Sequence, residues 1–446
     1  MLNIALIDPI PQKDHRISKD TSGGYGTAND FGDTLVAKML KKALKYSHDW
    51  PPLFAAYTMA VLKKKNFNIK YHRNLDFDFQ KTDIVIVISS IVGCESEIEY
   101  IKKIKEKNNN IKVFAIGPFA TNNPKLYCDN KAIVVSGEPE FFFLKNENFL
   151  DYSDGEIIKF EHNFELDDLP FPLWNEMLTE KYKASLLFGN YKTVPIIATR
   201  GCPYSCFKYC VYPLQQGRVV RQRNPQKIVD EFEHWKKNFG IKMFIFRDPV
   251  FSINRKHTIE LCNEIIERKI DVNFIIETHL RILDDELVAI LKKAGLQGVK
   301  VGIESSNTDV LKNADRFTVT TDVQKKKISY LEREKIKVSA MYIIGFPKDD
   351  EKTINNTIDY AVGLNTTYAQ FAVWTPYPGT PIYESYKDKI FVKNYEDFTQ
   401  YNLVFNHNNL KPQEIRRLLS KAYTKYYFRF NWIYKFAKSF LEKKIN

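Results

Sequence analysis

The sequence has little that would tie it to a membrane or to the outside of a cell. Its 446 residues contain no apolar stretch near the ~20 residues that a membrane-spanning helix needs. The N-terminal MLNIALIDPI lacks a cationic start and meets Asp8 where a signal peptide would continue its apolar run. The six cysteines are too few for a disulfide-rich secreted scaffold. These absences predict a cytoplasmic protein.

Internal repeats, low-complexity tracts and an evenly basic surface are also missing. The net charge is +12, yet residues 411–446 hold ten Lys or Arg against two Glu, so most of the excess lies in this tail. No specific nucleic-acid groove is therefore indicated on the body of the protein. The tail interleaves aromatic and basic residues at helical spacing, which predicts a terminal helix packing its aromatic face on the body. Contact with a membrane surface is the alternative.

Strands alternate with amphipathic helices in the first part of the chain. The β-rich runs are LNIALID (2–8), DIVIVIS (83–89), IKVFAIG (111–117) and the short KAIVV. PPLFAAYTMAVLKKK and CESEIEYIKKIKEK have apolar residues at helical spacing. The pattern predicts an α/β fold with a Rossmann-like, doubly wound parallel sheet. Such sheets bind ligands at the carboxyl ends of their strands, here in the loops at 89–94, 117–121 and 136–140.

A second series of six strands follows a proline-containing connection. It consists of TVPIIAT, IKMFIFR, VNFIIET, GVKVGIE, VSAMYIIG and AQFAVWT, each separated from the next by a helix-compatible stretch. This series predicts a partial (β/α)6 TIM-type barrel with its chemistry at the carboxyl ends of the strands. The predicted organisation is a Rossmann-like domain over 1–150, a linker over 151–192, a barrel over 193–395 and a helical C-terminal extension over 396–446.

Three of the six cysteines cluster directly after the first strand of this second series. Cys202, Cys206 and Cys210 lie within RGCPYSCFKYC, whereas Cys94, Cys128 and Cys262 are scattered and are interpreted as buried thiols. An odd number in a reducing compartment disfavours disulfides, and structural zinc normally takes four ligands. Three thiolates on one loop suit an iron–sulfur cubane with one iron left open. A chance grouping of three thiols is the remaining alternative.

Several strings occur in the order found in one enzyme family. They are PPLFAAYTMAVLKKKNFNIK, DIVIVISS, IKVFAIGPFAT and VVSGEPE, followed by TRGCPYSCFKYCVYP, FRDPVF, VGIESSNTDVLK, YIIGFPKDDEKTINNTIDYA and PYPGTPIY. Nearly end to end, the chain resembles radical S-adenosylmethionine (SAM) enzymes with an N-terminal domain of the cobalamin (B12)-binding type. That group includes the anaerobic magnesium-protoporphyrin IX monomethyl ester cyclase and hopanoid-associated enzymes.

The resemblance implies a [4Fe–4S] cluster held by Cys202, Cys206 and Cys210. SAM would chelate the fourth iron and, on one-electron reduction, yield a 5′-deoxyadenosyl radical that abstracts hydrogen from substrate. The implied SAM-contacting residues are Tyr209 beside the adenine, Asp248 with its neighbours Arg247 and Pro249, Glu304, Ser305, Gly345 and Pro347. Glu277 and His279 end a strand and are candidate catalytic residues facing substrate, as is Tyr209. Packing, capping or a structural salt bridge is the alternative role for each.

The sequence departs from the family pattern in two places. The usual cysteine spacing has three residues in the first gap and two in the second, whereas both gaps here hold three. A loop can absorb one extra residue at a cost of about 1–3 kcal/mol of backbone strain. The Asp-x-His-x-x-Gly string that ligates cobalt in some cobalamin proteins is missing. If cobalamin binds, we expect it between the sheet and the barrel mouth, against the loops 89–94 and 117–121 that contain Ser89 and Gly117.

The substrate and the final reaction stay open at this stage. With methylcobalamin the enzyme would be a methyltransferase, and without it an oxidoreductase or cyclase. The expected partners are a small-molecule or lipid-like substrate and an external electron donor such as flavodoxin or ferredoxin. The alternatives are an enzyme like the tRNA methylthiotransferases, which share the barrel, and a non-catalytic cobalamin-binding or degenerate scaffold.

Overall fold

The structure is a computed structural model that describes residues 2–11, 17–44, 50–160, 164–177, 192–435 and 437. Two six-stranded sheets of entirely parallel strands organise the molecule. Parallel sheets are buried on both faces by crossover helices, so the α/β class predicted from the sequence is confirmed. Parts of the predicted linker (161–163 and 178–191) and the end of the C-terminal extension lie outside the described residues, and the three boundaries between the four predicted segments stay predictions.

The N-terminal sheet is doubly wound. Its strands are β1 (Asn3–Ile7), β2 (Asn68–His72), β3 (Ile84–Ile88), β4 (Lys112–Ile116), β5 (Ile133–Ser136) and β6 (Ile157–Lys159), in the order β2-β1-β3-β4-β5-β6. The central strand β3 (IVIVI) is buried at every position, as a strand covered on both faces requires. The sequence did not reveal β2 and β6. Both are edge strands whose exposed, polar positions break the apolar run that marks the inner strands.

The second sheet follows chain order from one edge to the other. Its strands are β7 (Thr193–Ile196), β8 (Met243–Phe246), β9 (Asn273–Thr278), β10 (Leu296–Glu304), β11 (Lys337–Ile344) and β12 (Tyr368–Val373). Each strand pairs in parallel with the next, and no pairing joins β7 to β12 among the described residues. The sheet is thus a partial barrel of six β/α units, as predicted, and its carboxyl strand ends lie at one mouth.

Helices cover both sheets. They are α1 (Leu35–Leu44), α2 (Leu53–Lys64), α3 (Cys94–Lys107), α4 (Pro118–Asn122), α5 (Pro124–Cys128), α6 (Pro139–Lys145), α7 (Trp174–Met177), α8 (Pro213–Gln216), α9 (Pro225–Phe239), α10 (Arg255–Glu267), α11 (Asp285–Lys293), α12 (Thr308–Asn313), α13 (Thr321–Arg333), α14 (Glu351–Leu364), α15 (Pro381–Tyr386) and α16 (Pro412–Tyr427). Several begin at proline, which is pre-organised for the first helical position. No described helix combines the length and apolarity that crossing a membrane requires.

Aromatic side chains bond to both edge strands of the partial barrel. At one edge the indole N–H groups of Trp50 and Trp174 donate to carbonyls of β7, each at 3.1 Å. At the other edge the Tyr423 hydroxyl donates to Phe371 O (2.9 Å) and accepts from Phe371 N (3.0 Å), and the Tyr427 hydroxyl bonds Ala369 in the same way. Backbone groups that an open sheet leaves free at its edges are thereby paired.

The helix α16 packs its apolar face on the barrel, as the spacing predicted. Ile415, Leu418, Leu419 and Ala422 are buried. Beyond the helix, Phe428, Phe430 and Tyr434 have exposed fractions of 70%, 81% and 61%. The apolar face of α16 is therefore buried against the rest of the protein, whereas these later aromatic residues are exposed to solvent.

Residues 17–31, here called the strap, cross the carboxyl edge of the N-terminal sheet. The strap folds as a short hairpin in which Ile17–Ser18 pairs with Thr27–Ala28 in antiparallel fashion. A turn at Ser22–Gly24 closes the hairpin. The sequence pattern gave no prediction for this segment, because neither helical nor strand periodicity runs through it.

Candidate active site

A cavity of about 190 Å³ lies at the mouth of the partial barrel. The carboxyl ends of several strands and the loop after β7 form its wall. Among the lining residues are Cys202, Tyr204, Cys206, Tyr209, Cys210, Glu277, His279, Glu304, Arg316, Met341, Ile343, Val373, Trp374 and Tyr377. The three clustered cysteines therefore face one space together with further residues named from the sequence, among them Tyr209, Glu277, His279 and Glu304.

The cysteine loop accommodates its extra residue with a turn. Residues Ser205–Lys208 form a single 3₁₀ turn, and the Cys210 N–H donates to Cys206 O at 3.0 Å. Gly201 begins the loop with φ +94°, and a Cβ there would lie 2.0 Å from Val219 O. Only glycine fits such a close backbone approach. The spacing is thus built into regular local backbone and does not force the third cysteine out of the cavity.

The three thiols lie in a buried environment with one nearby cation. Burial raises the pKa of Cys202 and of Cys206, and the Arg316 guanidinium opposes the shift at both thiols. Arg316 Nη1 lies 4.0 Å from Cys206 Sγ. Among the described residues, no three His, Cys, Asp or Glu side chains converge on a single ion. A cubane does not need that convergence, because each thiolate binds a different iron. The donor set and its cationic neighbour therefore fit a cluster.

A buried ion pair joins Glu304 to Arg316 beside the thiols. Arg316 Nη2 lies 3.0 Å from Glu304 Oε1, and both side chains are 11% exposed. Glu304 ends β10 with φ +63°, a left-handed conformation that is uncommon for a non-glycine residue. Burial raises the pKa of Glu304, and Arg316 opposes that rise. Sequence reasoning missed Arg316, which lies in the α12–α13 connection with no motif around it.

Glu277 and His279 both line the cavity at the end of β9, but their side chains differ in the hydrogen bonds that they make. The His279 Nε2 bonds to Phe317 O (2.8 Å), and Nδ1 accepts from Arg281 N (3.1 Å). Burial lowers the pKa of His279 to about 4, so the imidazole is neutral at pH 7 with both nitrogens engaged. Burial raises the pKa of Glu277, with Lys300 the leading opposing charge. Among the described residues no hydrogen bond engages the Glu277 carboxylate, whereas both ring nitrogens of His279 are engaged.

Tyr209 lies between the cysteines and the loop that follows β11. Its ring meets Phe346 edge-on, with ring centres 6.0 Å apart and an interplanar angle of 88°. It lines both the main cavity and an adjacent cavity of about 190 Å³, whose wall also includes Pro347 and Trp374. Tyr209 thus lines both cavities, and its role beside the adenine of SAM stays a prediction.

Three other residues named from the sequence have structural partners outside the cavity. Asp248 is fully buried and accepts from Ala198 N (3.1 Å) and the Thr199 hydroxyl (2.7 Å). Ser305 pairs with Thr357 at 3.2 Å and is 2% exposed. Gly345 has φ +75°, and a Cβ there would lie 3.1 Å from Ile415 of α16. The structure does not bring these three residues to the cavity wall.

Buried ion pairs connect the two sheets next to the cysteine loop. Arg200, two residues before Cys202, pairs with Glu138 and Glu140 of the GEPE turn. Glu138 also pairs with Arg221 at 2.8 Å. Arg247, expected near SAM, pairs instead with Asp20 of the strap. The GEPE turn therefore holds the start of the cysteine loop.

Ser89 and Gly117 lie at the carboxyl edge of the N-terminal sheet, as expected, but in closed packing. The Ser89 hydroxyl accepts from Ala120 N at 3.0 Å, and Ser89 is 0% exposed. A Cβ at Gly117 would lie 2.9 Å from the ring of Phe54. Both residues contact neighbouring protein groups, and neither lines the cavity that contains the cysteines.

Comparison with known proteins places the site in context. The model of the radical SAM superfamily matches residues 196–361. An uncharacterized methyltransferase, PH0819 of Pyrococcus horikoshii, is 26% identical over 85% of this chain and 88% of its own length. The anaerobic magnesium-protoporphyrin IX monomethyl ester cyclase of Rubrivivax gelatinosus is 28% identical over 80% of this chain and 69% of its own.

One solved structure similar to this fold is the radical SAM methyltransferase TsrM of Kitasatospora setae with cobalamin and a [4Fe–4S] cluster bound. It has a TM-score of 0.58 at 16% identity, covering 86% of this chain and 77% of that one. A tRNA methylthiotransferase-type relative, the tRNA-2-methylthio-N(6)-dimethylallyladenosine synthase of Thermus thermophilus, matches only 42% of this chain at 25% identity. PH0819, the cyclase and TsrM each cover 80% or more of this chain, so these likenesses include the N-terminal sheet as well as the barrel.

Proposed function

We propose that this chain, whose residues 196–361 match the model of the radical SAM superfamily, generates a 5′-deoxyadenosyl radical and uses it to abstract hydrogen from an organic substrate. When bound, a [4Fe–4S] cluster supplies the electron that breaks SAM into methionine and that radical. The observation that carries the proposal is the meeting of Cys202, Cys206 and Cys210 on one cavity at the barrel mouth.

The three thiolates would hold three irons and leave one iron open to SAM. The adjacent Glu304–Arg316 pair offers one anion and one cation beside the thiols. A methionine zwitterion needs both an acceptor for its ammonium and a donor for its carboxylate, and charged partners make the stronger hydrogen bonds. Tyr209 offers a flat face to a flat base. These residues would bind and orient SAM, and the buried walls would exclude water from the radical.

The remaining wall of the cavity points to a substrate with an apolar surface. Met341, Ile343, Val373 and Trp374 line it, and the adjacent cavity widens the same space past Tyr209. Glu277 would hold or remove a substrate proton, since its side chain lines the cavity and burial raises its pKa. Similar proteins are named as an uncharacterized methyltransferase and as a cyclase, and both reaction classes are candidates for the radical proposed here.

The proposal includes partners and a location. Cleaving SAM consumes one electron, which a flavodoxin or ferredoxin of the cytoplasm would deliver to the cysteine loop. A second, independent proposal concerns the C-terminal aromatic residues Phe428, Phe430 and Tyr434, whose exposure next to basic residues favours contact with an anionic membrane surface and with a lipid-like substrate.

Anaerobic reconstitution with iron and sulfide tests the radical proposal. We expect about four iron and four sulfide per chain, and 5′-deoxyadenosine on addition of SAM and dithionite. Cys206→Ala and Cys210→Ala should each lose most of the cluster and all of the 5′-deoxyadenosine. Cys262→Ala is the matched control, because Cys262 is a buried cysteine of α10 outside the cysteine loop. This variant should retain both the cluster and the formation of 5′-deoxyadenosine. Full cluster content in Cys210→Ala would remove that residue from the ligand set.

A further inference from the structure

The carboxyl edge of the N-terminal sheet, where a doubly wound fold binds its ligand, is closed in this chain. Ser89, Ser90, Ile91 and Val92 after β3 are all 0% exposed, as are Phe119 and Ala120 after β4. The strap covers them. A cavity between the strap and the barrel, lined by Gly23, Gly24 and Phe54 among others, has about 40 Å³, which is room for a few waters at most.

A buried charge network anchors the strap to the sheet. Lys19 Nζ lies 2.8 Å from Glu97 Oε1 and 3.2 Å from Asp8 Oδ1, and it donates to Ile88 O at 2.9 Å. Burial alone would lower the pKa of Lys19, but Glu97 and Asp8 raise it overall, so the ammonium stays charged. Displacing the strap would leave two buried carboxylates without their cation, which is strongly unfavourable.

Tyr25, at the centre of the strap, joins the two halves of the molecule. It is 0% exposed, its hydroxyl donates to Pro378 O (2.8 Å), and its carbonyl accepts from Ile91 N (2.9 Å). The ring centres of Phe119 and Tyr377 each lie 5.8 Å away. A Cβ at Gly26 would lie 2.9 Å from Val92 Cγ2, so this glycine permits close contact of strap and sheet.

The packing does not fit cobalamin at the place where the sequence put it. Sites for drug-sized ligands occupy about 300–1,000 Å³, and cobalamin, with a corrin ring and a nucleotide tail, exceeds such ligands. The loops containing Ser89 and Gly117 contact the strap, Phe54 and each other instead. TsrM, which shares the fold, was determined with cobalamin bound. The similarity between this chain and TsrM therefore includes the N-terminal sheet, but in this chain no open crevice lies at the carboxyl edge of that sheet among the described residues.

We infer that the strap takes the place of cobalamin, and that this chain carries out its radical reaction without that cofactor. The inference rests on the proposed function and narrows it by excluding methyl transfer from methylcobalamin. Residues 17–31 serve as a fixed structural element between sheet and barrel.

Cobalt retention by the reconstituted full-length protein tests this inference. The protein is incubated anaerobically with excess hydroxocobalamin, desalted and analysed for cobalt and iron, and TsrM of Kitasatospora setae is treated in parallel as the positive control. We expect a small fraction of one cobalt per chain with the iron content unchanged. Retention close to one cobalt per chain would overturn the inference.

Hydrogen exchange adds a readout that does not depend on the cluster. The Ile91 amide, bonded to the strap, should exchange slowly, and hydroxocobalamin should leave exchange across residues 17–31 unchanged. Faster exchange of the strap on adding hydroxocobalamin would show a displaceable lid and contradict the inference. A failure of the radical proposal would appear separately, as missing iron or missing 5′-deoxyadenosine, because the strap lies outside the cysteine loop.

Discussion

In the cysteine loop, the direction in which the side chains point matters more than the number of residues between the cysteines. The Cys210 amide bonds to the Cys206 carbonyl, so the two cysteines stand four residues apart on one turn. Side chains four residues apart on a helical turn project from the same side. A second gap of three residues therefore keeps both thiols on the cavity, and the same turn places Tyr209 beside Phe346.

His279 is expected to make the fold sensitive to mild acid. The pKa of His279 falls from an ordinary 6.5 to about 4 in the folded chain. Between pH 6.5 and pH 4, His279 is therefore protonated in the unfolded chain and neutral in the folded chain. The stability that neutral His279 contributes is present above pH 6.5 and is lost as the pH falls toward 4. We therefore expect a loss of about 1–2 kcal/mol between pH 7 and pH 5.

Urea unfolding of His279→Gln at both pH values measures this effect. Glutamine can both donate and accept a hydrogen bond, so the variant should fold and lose less stability at pH 5 than the unaltered protein. His234→Gln, on the surface of α9, is the control and should keep the full loss. Equal pH dependence in the two variants would show that the acid sensitivity has another source.

The sequence identified cavity residues that belong to motifs and missed Arg316, which belongs to none. Cys202, Cys206 and Cys210 come after β7, and Glu277 and Glu304 lie at the ends of β9 and β10, so apolar runs in the sequence locate them. Arg316 reaches the thiols from a connection between helices, and its ion pair depends on how that loop folds back. Asp248 also follows a strand, but its carboxylate accepts a hydrogen bond from the backbone of Ala198. The sequence does not reveal this direction, because it depends on tertiary packing.

At the level of secondary structure, the helix α16 completes the open barrel. Tyr423 and Tyr427 lie one turn apart, and their hydroxyls bond to Phe371 and Ala369, two alternate residues of β12. The rise of one helical turn, 5.4 Å, is close to the two-residue repeat of a strand, about 6.6 Å. Two hydroxyls on one helix face can therefore pair successive backbone groups along the strand.

Tyr423→Phe tests this pairing at the edge strand. The substitution removes one oxygen and leaves the buried N–H and C=O of Phe371 without their hydroxyl partner. An unsatisfied buried group costs about 1–3 kcal/mol, so we expect a decrease of that size in the free energy of unfolding by urea. Tyr434→Phe, at a tyrosine 61% exposed, is the matched control and should change it little. Equal stability of the two variants would contradict the pairing role.

The elements that the sequence located best are those whose pattern does not depend on distant partners. The inner strands and the longer helices follow from apolar periodicity alone. The strap could not be found in this way, because its residues are buried by contacts with both sheets and with Pro378, hundreds of residues away. Edge strands β2 and β6 were missed for a related reason, since half of their pattern faces solvent.

For the molecule as a whole, the uneven charge predicts where it would meet a membrane. Ten Lys or Arg against two Glu lie in residues 411–446, and the exposed Phe428, Phe430 and Tyr434 belong to the same segment. Basic residues near an anionic surface contribute about 1 kcal/mol each at low salt. The protein should therefore sediment with vesicles containing phosphatidylglycerol and be released at high salt.

Comparing Phe430→Asp with a control variant tests whether the exposed C-terminal aromatic residues bind the membrane surface. It places a negative charge where an 81% exposed aromatic ring would enter the interface, and we expect vesicle binding to fall several-fold. Ile157→Asp puts the same charge on β6 of the N-terminal sheet, at a residue 43% exposed, and should bind as the unaltered protein does. Equal binding by the two variants, or no binding by the unaltered protein, would show that the exposed aromatic residues have another role.

The aromatic pairing of both barrel edges also bears on how the protein behaves at high concentration. An open sheet offers its edge backbone to other copies of the chain, and such edges seed intermolecular strand addition. Here Trp50 and Trp174 bond to β7, and Tyr423 and Tyr427 bond to β12. The mouth can thus stay open while the sheet resists aggregation, and loss of the tyrosine hydroxyls would shorten the shelf life of the purified protein.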